Sequence, residues 1–125
     1  MPRYVDGFVI PLPKKKLAEY KKMATMASKV WMDHGALQYV ESVLEDGDPM
    51  PGCGVNFSKL VALKRTETAV FAFIVYKSRA HRDKVNKKVM ADQRMIDFME
   101  KMDPKKPVFD MQRFSFGGFE VLVDA

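Results

Sequence analysis

The hydrophobic positions change period several times along the chain, and each change marks an element. Tyr4 to Leu12 is rich in aromatic and β-branched residues and ends among Pro11 and Pro13, which predicts a strand. Alternation puts Tyr4, Asp6, Phe8 and Ile10 on one of its faces and Val5, Gly7 and Val9 on the other. From Lys14 to His34 the spacing becomes that of an amphipathic helix, with Leu17, Tyr20, Ala24, Ala27 and Trp31 three or four apart and Met23, Met26 and Val30 widening the stripe. Gly35 stops it, because the residue past a last helical turn often takes a left-handed backbone. Ala36 to Leu44 alternates again, with Leu37, Tyr39 and Glu41 opposite Gln38, Val40 and Ser42. Glu45 to Gly54 is crowded with turn formers and predicts a mobile surface loop. Phe57 to Leu63 resumes an apolar pattern, read as an extension of the second strand or a short strand of its own.

Val70 to Tyr76 has no charged residue at all, so this strand is apolar on both faces and must be covered twice. Ser78 caps a helix from Arg79 to Ala91, and Asp92 caps a further helical stretch from Gln93 to Met102. Met111 to Val123 predicts the last strand, with Gly117-Gly118 as a bulge that bends it. The order is β-α-β-β-α-β, which predicts an α+β chain: one ferredoxin-like domain over residues 1–125, an antiparallel sheet with its helices on one face. The other face would be a large apolar patch, which monomers rarely leave in water. Pairing with a second copy as a dimeric α/β barrel is therefore expected.

Composition adds limits more than directions. A formal charge of +5 and a pI near 9.3 raise the question of nucleic acid. The lysine pairs and triplet are scattered over several elements, however, with acids between them, and they read as solvated surface. Ala69 to Tyr76 resembles the aromatic motif of RNA-recognition domains, but Ala69 and Val70 stand where a basic residue and a glycine belong. Nucleic acid is not the expected partner, and an RNA-binding module is kept as the alternative. One cysteine, Cys53, allows no internal disulfide, and no ligand spacing suggests a metal or other cofactor. With neither a signal-peptide pattern nor an apolar run long enough for a membrane span, a cytoplasmic location is expected.

Asp6-Gly7-Phe8, Gly35-Ala36-Leu37, Glu67-Thr68, Ser78-Arg79 with Arg82-Asp83, Asp92-Gln93-Arg94-Met95, and the closing Gly117-Gly118-Phe119-Glu120-Val121-Leu122-Val123 together resemble the YbaA-like family of uncharacterised bacterial proteins. The family tends to have tryptophan where Phe73 stands and proline where Gln93 stands. The resemblance implies a dimeric ferredoxin-like barrel and carries no catalytic residues.

The candidate chemistry comes from the residues alone. Asp6 shares a strand face with apolar neighbours, where burial would raise its pKa and suit it to act as a general base. Pairing with an arginine, such as Arg113 on the last strand, is the structural alternative. Arg82 and Asn86 lie one turn apart on a helix and can point together, Arg82 as an anchor for an anion. Trp31, Tyr39 and Tyr76 would shape a pocket between sheet and helices, with Arg113 as a further ligand-binding residue. The leading expectation is a homodimer binding a small organic ligand there. Such a pocket would suit a cofactor-independent oxygenase or isomerase, by analogy of fold only. A stress or regulatory protein working through the loop Glu45 to Asn56 is a further alternative. His34 reads as a helix C-terminal cap, and His81 stands in the first turn of its helix.

Overall fold

A computed structural model describes residues 1–125. Four strands, β1 (Tyr4–Pro13), β2 (Gln38–Val43), β3 (Glu67–Tyr76) and β4 (Ser115–Glu120), form one sheet in the order β2-β3-β1-β4. All three neighbouring pairs are antiparallel. The helices are α1 (Leu17–Asp33), α2 (Phe57–Leu60), α3 (Arg79–Met90) and α4 (Gln93–Lys101), with a 3-10 turn at Lys14–Lys16 leading into α1. Helices α1, α3 and α4 cover one face of the sheet, as the ferredoxin-like reading expects.

The prolines of β1 explain where the sheet stops. Lys14 N–H bonds to Thr66 and Val121 N–H bonds to Arg3, so even-numbered residues of β1 face β3 with their hydrogen bonds and odd-numbered ones face β4. Pro11 and Pro13 therefore lack their N–H on the β4 side. Strand β4 reaches only as far as Val9, so no acceptor there goes without a donor.

Side-chain alternation then fixes two different faces. Asp6, Phe8, Ile10, Ala72, Ile74 and Tyr76 look toward the helices, and Ile10, Leu12, Ala72, Ile74 and Tyr76 are buried. One core cluster joins Ile74 and Tyr76 to Val30, Ala36, Val85, Val89 and Met95; the other joins Ile10, Leu12, Val70 and Ala72 to Tyr20. The opposite face carries Val5, Val9, Val40, Phe71, Phe73, Val75 and Phe119, with Phe71 47% and Phe119 61% exposed.

Three sequence expectations fail for local reasons. Phe57 to Leu63 is no strand: the Asn56 side chain accepts the Lys59 N–H at 2.9 Å and starts the short helix α2, which lays Phe57 on Phe71. The last strand begins at Ser115 instead of Met111, because the Asp110 side chain accepts the Gln112 N–H and its carbonyl accepts the Arg113 N–H, closing a turn. Arg113 is thus in that turn and not on the strand. Gly117-Gly118 makes no bulge either; the register from Ser115 to Glu120 is unbroken. Gly118 lies close to the Tyr4 ring, and a Cβ there would stand 2.8 Å from a ring carbon, so a larger residue would have to push that side chain aside.

Candidate functional site

Two groups of side chains meet between sheet and helices. The first is polar. Ser78 caps α3 by accepting the His81 N–H at 3.1 Å, and the helix that follows turns Arg82 and Asn86 down onto the sheet. Arg82 Nη1 donates to Asp6 Oδ1 at 2.6 Å, with the two side chains 20% and 10% exposed. Arg82 Nε also donates to Asp83, and its guanidinium lies 4.9 Å above the Tyr4 ring centre. Asn86 Oδ1 accepts from the Tyr76 hydroxyl at 3.2 Å and from Trp31 Nε1 at 3.1 Å, and Trp31 Nε1 also reaches the Tyr76 oxygen at 3.1 Å. Burial raises the Asp6 carboxyl above the ordinary carboxylate value, while Arg82, Asn86 and Tyr76 pull it part of the way back.

The second group is largely apolar. A cavity of about 230 Å³ lies between β1, β2 and β3 on one side and α1 and α4 on the other; Phe109 and Phe114 close one end of it. Of its 15 lining residues 14 are hydrophobic, and the remaining one is Glu41. Trp31 and Tyr39 line it with ring centres 6.1 Å apart. The Tyr39 hydroxyl donates to Glu41 Oε2 at 2.6 Å and the Tyr20 hydroxyl donates to Oε1. Burial first, then the hydrogen bond to Glu41 and its charge, push both phenols well above their ordinary pKa. Tyr76 is also raised, chiefly by burial and then by the charge of Asp6.

Of the residues expected from sequence, Asp6 pairs with Arg82, and Tyr76, Asn86 and Trp31 form a hydrogen-bonded trio whose polar groups also act on the Asp6 carboxyl through Asn86 and Tyr76. Tyr39 joins it through the Trp31 ring. Trp31 belongs to both groups: its ring lines the cavity and its N–H serves the network. Arg113 lies elsewhere. It holds Glu67 with both terminal nitrogens, at 2.7 and 2.9 Å, and donates to the Ala62 carbonyl, clasping the last turn to β3 and to the end of α2. That arginine keeps the Glu67 carboxyl low, at about 2. The partner of Asp6 is Arg82.

Glu41 was not singled out by sequence, although its signal was there: it alternates onto the same strand face as Tyr39. His34 stands beyond the C-terminus of α1, where its Nε2 lies 2.8 Å from Asp92 Oδ2, tying α1 to the cap of α4. Cys53 is exposed in the loop before α2.

Comparison with known proteins agrees with the sheet order and with the sequence resemblance. The chain is 38% identical over 122 residues to the uncharacterized protein YbaA of Escherichia coli K12, covering 98% of each, and equally similar to YbaA of Shigella flexneri. Among solved structures it resembles a dimeric ferredoxin-like protein from an uncultured marine organism. That match has a TM-score of 0.57 at 15% identity, covers all of both chains, and speaks for the fold alone. A family described as a protein of unknown function, DUF1428, matches residues 3–111. By that match and by its identity to YbaA along nearly its whole length, the chain belongs to the DUF1428 family.

Proposed function

We propose that this protein is a homodimer that binds a small organic molecule between its sheet and its helices. The observation that carries the reading is the cavity lined by 14 hydrophobic residues and one carboxylate, the usual composition of a ligand pocket. Its opening has a cause in the sequence. Ala27 of α1 and Ala72 of β3 present only methyl groups to it, and Met23, Met26 and Met95 can shift to fit a guest. A thermal-shift screen of small organic compounds on wild type and Ala27→Leu tests the site. Ligands that stabilise the wild type should lose their effect in the variant, whose extra carbons fill the cavity. Ligands equally effective on both proteins would place binding elsewhere and reject the reading.

The homodimer is supported by the chemistry of the uncovered face. Phe71, Phe73, Val75, Val5 and Phe119 form an apolar surface, and the register sets no lysine or arginine among them. RNA stacked on such rings needs cations beside them for its phosphates, so the surface suits a second copy of itself better. The marine neighbour is described as dimeric, which agrees. Sedimentation equilibrium should return twice the 14.3 kDa chain mass. A cytoplasmic home fits this picture, with Cys53 exposed and unpaired.

A second reading has one observation in its favour. The Asp6 carboxyl is raised by burial, as a general base requires, and Arg82 beside it would anchor an anionic substrate for cofactor-independent oxygenase or isomerase chemistry. Turnover abolished in Asp6→Asn with ligand binding intact would favour it; turnover retained in that variant would dismiss it.

A further inference from the structure

Four carboxylates in the fold are buried or half-buried: Asp6, Glu41, Glu67 and Asp92. Three of them have a cation, namely Arg82 for Asp6, Arg113 for Glu67, and Arg94 for Asp92. Glu41 alone has none; its partners are the neutral hydroxyls of Tyr20 and Tyr39. Taking a carboxylate from water without an opposite charge is costly, and neutral donors offset only part of that cost. We infer that Glu41 is the recognition group of the sheet–helix cavity and that its missing counter-charge is supplied by the ligand, an organic cation such as an amine or amidine on an apolar body.

The placement of Glu41 supports this assignment. It lines the inner cavity of about 230 Å³ and also an outer groove of about 520 Å³ between α1 and β2. Tyr20 and Tyr39 line both as well, so the hydrogen-bonded trio stands where the two meet. Because β2 is an edge strand, that groove opens at the side of the sheet. Lys21 lines the groove but not the inner cavity, where Glu41 is the one charged residue. The groove thus carries one charge of each sign, and the inner cavity carries only the negative one. Each Glu41 oxygen already accepts one phenolic proton and has a lone pair to spare for an N–H donor. The Trp31 and Tyr39 rings offer π-faces to the same charge.

This inference rests on the cavity reading above, and a matched series separates the two. The probes are 3-phenylpropylamine, 3-phenylpropan-1-ol and 3-phenylpropionate, which share an apolar body and differ in head group. Binding is followed by calorimetry on wild type, Glu41→Gln and Tyr39→Phe. The amine should bind the wild type best, and Glu41→Gln should weaken it by roughly tenfold or more, the worth of a hydrogen bond to a charged group. The alcohol should be little affected by that change. Tyr39→Phe keeps the charge and must keep the preference for the amine, which separates loss of recognition from loss of structure. If the alcohol or the carboxylate binds the wild type as well as the amine, or if Glu41→Gln retains the preference, the cation assignment falls and the cavity reading stands. If none of the three binds, both fall.

Discussion

Phe71→Asp is the sharpest test of how the uncovered face is used. Phe71 sits in the middle of β3, opposite Val9 and Ser42, with Phe73 and Phe57 against its ring at centre distances of 6.2 and 6.1 Å. It is 47% exposed in the single chain. For a side chain of about 200 Å², that leaves roughly 90 Å² of ring in water, or about 2.3 kcal/mol at ~25 cal/mol per Å². A two-fold interface meets the same residue twice, so burying both rings contributes about 4–5 kcal/mol to association. Aspartate forfeits that contribution and adds the cost of bringing two like charges into an apolar contact. The dimer constant should therefore weaken by about a thousandfold or more, since ~1.4 kcal/mol is a factor of ten.

In the isolated chain the same substitution acts on a half-exposed ring, so the fold itself should survive with a loss of about 1 kcal/mol. Sedimentation equilibrium across a wide concentration range reads the association, and circular dichroism reads the fold. Met90→Asp on α3 is the control, being 51% exposed on the helical layer. The expected result is a folded monomer for Phe71→Asp and an undisturbed dimer for Met90→Asp. A Phe71→Asp protein that dimerises as tightly as wild type would show that this face is not the contact. So would a wild type that stays monomeric at the highest concentrations.

Two further predictions concern the fold that holds the site. Gly118→Ala should destabilise by about 1–3 kcal/mol in urea melts, as overpacking does, because its Cβ would stand 2.8 Å from a Tyr4 ring carbon; a Tyr4→Leu background should recover most of the loss, and a single variant as stable as wild type would contradict the contact. The Glu67–Arg113 clasp holds a carboxyl at about 2 against an ordinary 4.5. A folded-state value below the unfolded one contributes stability that is fully present above about pH 4.5 and is lost as pH falls toward 2. Glu67→Gln should flatten that part of the stability–pH curve, and an unchanged slope would remove the clasp from the account.

Much of the architecture was legible because the two periods are unmistakable where they matter. The run Val70 to Tyr76 could only be a strand, and the stripe Leu17 to Trp31 could only be a long helix. The errors lie where a single polar side chain decides the backbone. Asn56 turned an apolar stretch into α2, and Asp110 delayed the last strand by four residues. The polar network was partly legible, since Arg82 and Asn86 share a helical face. Its partner assignment was not, because Arg113 is as plausible a mate for Asp6 in one dimension and only the turn at Asp110 takes it away. Glu41 escaped notice for a similar reason. A glutamate in an alternating strand reads as solvent-facing until the sheet order shows which side the helices cover.

Strand β3 serves both layers through alternate residues. Phe71, Phe73 and Val75 point to the uncovered face, while Ala72 and Ile74 form cavity wall and Tyr76 anchors Trp31. Phe71, Phe73, Val75 and Phe119 of the uncovered face are not among the residues that line the cavity, while Phe8 of β1 lines both the cavity and a groove on the uncovered face. On the reading proposed above, association and ligand binding would thus draw on largely different side chains of one strand. A ligand of that cavity would then bind monomer and dimer alike, and it would shift their balance only if it fitted one state better. The folded monomer made by Phe71→Asp should accordingly bind the amine probe about as tightly as the wild-type dimer. A large loss of affinity in that monomer would mean that the partner shapes the cavity after all, and that the two faces of the sheet do not work independently.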